Sequence, residues 1–286
     1  MKTITKIILS ALVLLAVFLV VEIVRSPDKD LVQLYLFSVG QGDAELIQKG
    51  NYQILIDGGP DDSILPELGK VMPLTDRNIE VVILTHPHAD HLTGLNQVLE
   101  RYKIETIYLS GATTTSNTYL EFLNIVKNKT TVLNITNFGE RLSPFENGEL
   151  TFLWPGEMYK DRSIENLNNS SEVVKFCYFA ECAVFLGDQE VDEQKLMFAE
   201  LDKQKIDYAA KILKIAHHGS TNGTDQTTLD KIKPEYAVIE VGADNKFGHP
   251  HAATVDLLSK LNIKTYRTDR DRTVRFQLRK DSIEIN

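Results

Sequence analysis

The segment Ile83-Leu84-Thr85-His86-Pro87-His88-Ala89-Asp90-His91 restricts what this chain can fold into more than any other stretch. An apolar run, Ile79 to Leu84, interrupted only by Glu80, leads into it and predicts a strand buried on both faces. His91 to Tyr102 follows, with Leu92, Leu95, Val98 and Leu99 at helical spacing. Four potential ligands, His86, His88, Asp90 and His91, thus crowd the turn between a buried strand and a helix. Neutral imidazole and carboxylate suit zinc and its first-row neighbours. His86 and His88, two residues apart in an extended turn, point to one side. Asp90 and His91, at the helix N-terminus, reach a second position nearby. The layout predicts two adjacent cations.

The surrounding pattern sets the architecture. Leu31 to Val39, Ala44 to Gln48 and Tyr52 to Ile56 read as strands, the last two joined at Gly50-Asn51. Leu65 to Val71 reads as a short helix capped by Asp61-Asp62, and Ile104 to Leu109 as a strand. A looser repeat follows. Leu150 to Trp154, Val173 to Phe179, Ala183 to Leu186, Ile212 to Ala216, Tyr236 to Val241 and Ile263 to Tyr266 are predicted strands. Thr118 to Val126, Val191 to Leu201, Gln226 to Ile232 and Ala253 to Leu261 are predicted helices. Strands that first meander and later alternate with helices fit an α/β fold, an αββα sandwich. With 43% hydrophobic and 25% charged residues and no internal linker, residues 31–286 are expected to form one globular domain.

The first 26 residues differ in kind. Lys2 and Lys6 precede an apolar run from Ile7 to Val21, as in a signal peptide or an uncleaved membrane anchor. No small-x-small site follows, which favours the anchor, and Ser26 to Asp30 reads as a polar linker. Either option places the body outside the cytoplasm, anchored to the cell membrane or secreted. Cys177 and Cys182 form no C-x-x-C pair and flank a hairpin turn near Phe179 to Glu181. They are expected as free thiols packed in a sheet, with a disulfide across the turn as the alternative.

The seven histidines, His86, His88, His91, His217, His218, His249 and His251, all fall at strand ends or in Gly/Pro loops. Together with the H-x-H-x-D-H string, they carry a resemblance to metallo-β-lactamase-fold hydrolases. More narrowly, the chain resembles the hydrolase domain of ComEC-type competence proteins, which take up DNA. The supporting residues include Phe37 to Ala44 with Val39-Gly40-Gln41-Gly42-Asp43, then Leu55 to Gly59, Asn168 to Ser171 and Phe185 to Asp188. They continue with Leu213 to Ser220, Phe247 to His251 and Tyr266 to Asp269.

The resemblance implies roles. His86 and His88 would hold a first divalent ion, Asp90 and His91 a second, and Asp188 would bridge them. His218, or nearly as well His217, would complete the second site. Asp57 would orient the metal loop through hydrogen bonds. The family usually supplies a further His between the first cluster and the bridging Asp. Here Asn168, Asn169 and Ser170 occupy that stretch. The first ion is therefore expected to bind less tightly, or to be Mn rather than Zn.

Asp90 and Asp188 are then the expected catalytic carboxylates, supporting a metal-bridged hydroxide. His249 or His251 could donate a proton or hold a phosphate oxygen, and Asp43 could approach the metals. The expected reaction is hydrolysis of a phosphodiester, with DNA a possible partner, or of a small extracytoplasmic ester. A net charge of −9 works against capture of long DNA by bulk field. The competing expectation is a non-catalytic metal-binding partner of a DNA-uptake complex.

Overall fold

The computed structural model of the chain describes residues 2–25 and 31–285. The predicted linker Ser26 to Asp30 lies outside the described residues. The N-terminal segment forms helix α1 (Lys2–Arg25). Among the described residues, no helix is long and apolar enough to cross a membrane.

The body begins with strands β1 (Val32–Leu36), β2 (Glu45–Lys49) and β3 (Tyr52–Ile56), then helix α2 (Ile64–Val71). Strand β4 (Asn78–Leu84), helix α3 (Ala89–Arg101), β5 (Lys103–Leu109), α4 (Asn117–Lys127) and β6 (Val132–Ile135) complete the first half. The second half runs through β7 (Arg141–Leu142), β8 (Gly148–Trp154), β9 (Val173–Tyr178), β10 (Glu181–Phe185) and α5 (Val191–Gln204). It continues with β11 (Ile212–Lys214), α6 (Gln226–Ile232), β12 (Tyr236–Ile239), α7 (Ala252–Lys260) and β13 (Lys264–Arg267). A short α8 (Thr268–Asp271) and the hairpin β14 (Val274–Arg279) and β15 (Ser282–Ile285) close the chain.

Two sheets result, in the order β15-β14-β1-β2-β3-β4-β5-β6 and β13-β12-β11-β10-β9-β8-β7. Their inner faces meet in a core that includes Leu34, Ile54, Ile83, Phe152, Phe176, Phe185 and Phe276. Helices α2, α3 and α4 cover the outer face of the first sheet with Leu68, Leu95, Val98 and Phe122. Helices α5, α6 and α7 cover the second with Phe198, Leu229 and Leu258. This is the expected αββα sandwich. Strand β4 runs parallel between β3 and β5, and its apolar half, Val81 to Leu84, is buried on both faces, whereas Glu80 keeps partial access to solvent.

The cysteine expectation is corrected. Cys177 on β9 and Cys182 on β10 are direct partners in the antiparallel register, with Cα atoms 4.1 Å apart, and they form a disulfide. Sequence spacing places them near one turn but does not reveal that they face each other. Strands β6, β7, β14 and β15 were not anticipated either. The last two join β1 and bring the C-terminus back to the first sheet.

Candidate metal centre

The functional side chains gather where β3, β4, β10, β11 and β12 end. Strand β4 delivers Thr85 and His86 into the turn, and α3 begins at once, so that His91 lies in its first turns, fully buried. Two glycines allow α3 to approach this closely. A Cβ on Gly94 would lie 1.8 Å from the Gly58 carbonyl oxygen, and one on Gly58 would lie 2.4 Å from the Leu95 nitrogen. The Gly58 N–H donates to the His91 carbonyl at 2.8 Å and the Gly94 N–H to that of Gly59 at 3.0 Å. The helix is thereby fixed to the loop that follows β3.

That loop carries Asp57, which is fully buried. Its carboxylate accepts the Thr85 N–H at 2.8 Å, the Thr85 hydroxyl at 2.6 Å and the His91 Nδ1–H at 2.7 Å. With Nδ1 so committed, His91 turns Nε2 inward as a free donor atom. His218 uses the same device: its Nδ1–H donates to the Glu240 carbonyl at 2.9 Å, which leaves Nε2 facing the site. Fixing a tautomer through the far nitrogen is how ligating imidazoles are oriented.

The convergence point is Oδ2 of the buried Asp188. It lies 3.4 Å from His91 Nε2, 3.7 Å from His218 Nε2, 3.9 Å from His217 Nε2 and 4.0 Å from His86 Nε2. Asp90, its side chain 32% exposed, reaches His218 Nε2 at 3.4 Å from the open side. Donor atoms of Asp90, His91, Asp188 and His218 all lie within 4.8 Å of one another. His88 joins through a 2.9 Å contact of its Nδ1 with His86 Nε2. The structure thus clusters Asp90, His91, Asp188 and His218, with His86, His88 and His217 beside them.

His217 and His218 reach the site by way of an unusual backbone. Both adopt left-handed conformations, with φ of 50° and 51°, in the turn Ala216–Gly219. This costs about 1–2 kcal/mol per non-glycine residue, and here it turns two successive imidazoles toward one carboxylate. His217 stays 23% exposed and has the Asn168 amide against its ring at 3.4 Å. Asn168 thus reaches the site from the turn Leu167–Ser170 that precedes β9. His249 lies farther out, its ring centroid 5.6 Å from that of His217 and 6.3 Å from that of His218. Burial, together with the charges of His218 and His217, pushes its pKa down to about 4. His251 instead accepts the Thr221 N–H on Nδ1 at 3.1 Å and is tied to the loop.

Sequence reasoning gave no role to Lys214 or Glu240. Lys214 is fully buried on β11; its ammonium pairs with Asp43, donates to the Gly187 carbonyl at 2.9 Å and lies 3.9 Å from Asp188 Oδ1. Asp43 in turn lies 3.2 Å from His218 Nδ1 and 3.7 Å from His91 Nδ1, behind the imidazoles rather than among the inward donors. Burial and the neighbouring carboxylates hold the Glu45 and Glu240 carboxyls well above their usual range. The available signal was a lone lysine inside an otherwise apolar strand.

The electrostatics favour cations. Burial opposes charge on His91, yet the Asp188, Asp57 and Asp43 carboxylates outweigh it and raise its pKa well above the usual imidazole range. His218 is likewise raised, against burial, to about 10 by Asp188 and Asp43. Asp188 is buried too, and the surrounding imidazoles still lower its pKa well below the ordinary value. His91 Nε2, His218 Nε2 and Asp188 Oδ1 are buried without hydrogen-bond partners. Such atoms cost about 1–3 kcal/mol each when left unpaired. A donor set of imidazole nitrogens and carboxylate oxygens, oriented and unpaired, fits divalent metal ions.

With fold and site in view, residues 38–242 match the Metallo-beta-lactamase superfamily, and the chain belongs to it. Within that superfamily it is similar to competence proteins. It is 24% identical over 262 residues to ComE operon protein 3 of Bacillus subtilis, covering 85% of this chain and 32% of that protein. It is 26% identical over 264 residues to Recombination protein 2 of Haemophilus influenzae, covering 88% and 30%. The chain thus spans about a third of the length of these relatives. Among solved structures, the metallo-beta-lactamase fold protein YhfI of Bacillus subtilis superposes with a TM-score of 0.59 at 14% identity, covering 87% of this chain and 100% of that one. That likeness shows the fold.

Proposed function

We propose that this chain is a metal-dependent phosphodiesterase, and that its substrate is nucleic acid. The observation that carries the reading is the convergence of four imidazole nitrogens on Asp188 Oδ2, all within 4.0 Å. In this reading His86 and His88 would hold one divalent ion and Asp90, His91 and His218 a second, with the Asp188 carboxylate available to both. Two such ions, when bound, would supply a nucleophile near neutral pH and neutralise charge on a phosphate. Asp57 and the Glu240 carbonyl keep the His91 and His218 tautomers fixed through their Nδ1–H groups. Asp90, on the open side, stands where substrate enters. His249 is held neutral by its surroundings, which suits it to hydrogen-bond a phosphate oxygen rather than to carry charge.

Two observations support the substrate and the setting. The similar proteins include one named for recombination and one named for competence, and recombination is a reaction of nucleic acid, which favours a phosphodiester over a lactam or small ester. The Cys177–Cys182 disulfide favours an oxidising compartment, in keeping with a domain outside the cytoplasm. The test is turnover. Chelator-treated protein should hydrolyse a generic phosphodiester only after Mn²⁺ or Zn²⁺ is restored, and hydrolyse β-lactams little under the same conditions. Hydrolysis of esters or lactams but no phosphodiester with any metal would overturn the assignment.

A further inference from the structure

The loop between β12 and α7 is built around one amide. Asn245 Nδ2 donates to the carbonyls of Gly242 at 3.0 Å and His249 at 2.7 Å. Its Oδ1 accepts the N–H groups of Phe247 at 3.2 Å and His249 at 3.0 Å. On this tied loop, Phe247 is 52% exposed. Fully burying a phenylalanine is worth about 1.5–3 kcal/mol, and a loop that leaves half of the ring in solvent forgoes part of that until something covers it.

The neighbours of the ring indicate what that is. Phe247 lies nearly parallel to His249, with centroids 5.8 Å apart and planes 22° apart. His249 is itself 5.6 Å from His217. Phe247 is therefore one ring removed from the imidazoles around Asp188. The exposed Lys246 sets its ammonium 5.2 Å from the Phe247 centroid. His249 Nδ1 is buried without a hydrogen-bond partner. An aromatic face, an exposed cation and an unpaired imidazole nitrogen side by side suit a base attached to a phosphate better than an acyl chain or a peptide.

Resting on the phosphodiester reading, we propose that Phe247 and Lys246 form a nucleobase subsite beside the metal centre. The Phe247 ring stacks on an unpaired base next to the scissile phosphate, and the Lys246 ammonium moves from the ring to the adjoining backbone phosphate. The substrate class is single-stranded nucleic acid, because a duplex hides its base faces in the stack. Stacking on aromatic rings is tolerant of sequence. It also gives a chain of net charge −9 a local means of capture that bulk field denies it.

The experiment measures binding of the full chain, in chelator, to a fluorescent oligothymidylate and to an abasic strand of equal length. Wild type should bind the thymidylate more tightly, by about 5- to 150-fold, the range of one base on one aromatic ring. Phe247→Ala should erase that difference, and Phe247→Tyr and Phe247→Trp should restore it where Phe247→Leu does not. Equal wild-type binding of the two strands overturns the subsite, as does a Phe247→Ala variant that keeps the preference. Cleavage by metal-loaded wild type is measured separately. Base-dependent binding without cleavage of either strand would refute the phosphodiester reading and leave the subsite standing.

Discussion

Asp57 shows how one side chain can organise a site it does not face. It accepts three hydrogen bonds, two from Thr85 and one from His91, and so sets both the turn and the tautomer. Asp57→Asn keeps the shape but weakens the hold on the His91 Nδ1–H. Isothermal titration should show metal affinity lowered by about 10- to 100-fold, and unchanged affinity would mean that His91 is oriented by packing alone. Glu172 offers a test in pH. Burial raises its pKa well above the ordinary 4.5, even though the Thr136 hydroxyl donates to it at 2.5 Å. The native state then binds a proton that the unfolded state releases, so stability falls as pH rises above about 4.5. Glu172→Gln should melt higher than wild type near pH 8, with the gap closing toward about pH 5. Parallel melting curves at both pH values would show that Glu172 is not held protonated. At this scale the sequence was legible for His86, His88, Asp90 and His91, because a turn between a buried strand and a helix confines them. It was illegible for the pairing of Asp43 with Lys214, which meet across 171 positions of chain.

Among the elements, β11 bears the most unusual load. A three-residue strand of wholly buried residues carries a lysine at its end. Lys214 is held there by Asp43 and the Gly187 carbonyl. Removing one partner of a buried pair strands the other charge, at a cost of about 3–5 kcal/mol. Lys214→Met should therefore lower the urea midpoint by that equivalent, and a loss under about 1 kcal/mol would contradict the pairing. Element prediction succeeded where burial imposes a strong period, as in β4 and α3. It missed β6, whose Val132 and Leu133 are exposed, and β7, which has only two residues. The strand β14 was readable in principle, since buried Val274, Phe276 and Leu278 alternate with Arg275, Gln277 and Arg279. The left-handed backbone of His217 and His218 carries no sequence mark, because glycine, the usual occupant, begins only at Gly219.

For the whole molecule, the sandwich keeps stability and chemistry apart. The disulfide sits at the hairpin where β10 begins, and Asp188 lies beyond the other end of that strand. The sheet pair between them is filled by phenylalanines, among them Phe152, Phe176 and Phe185. The αββα order was legible because strands first meander and then alternate with helices, whereas the disulfide depended on a register that only the paired strands define. A binuclear centre is distinguished most directly by how many cations the chain takes up. Titration of metal-free protein with Mn²⁺ should show two sites of unequal affinity, and Asp188→Ala should lose both tight binding and the second equivalent while keeping the fold by circular dichroism. Absence of Mn²⁺ and Zn²⁺ binding by wild type, or an Asp188→Ala titration identical to wild type, would contradict it.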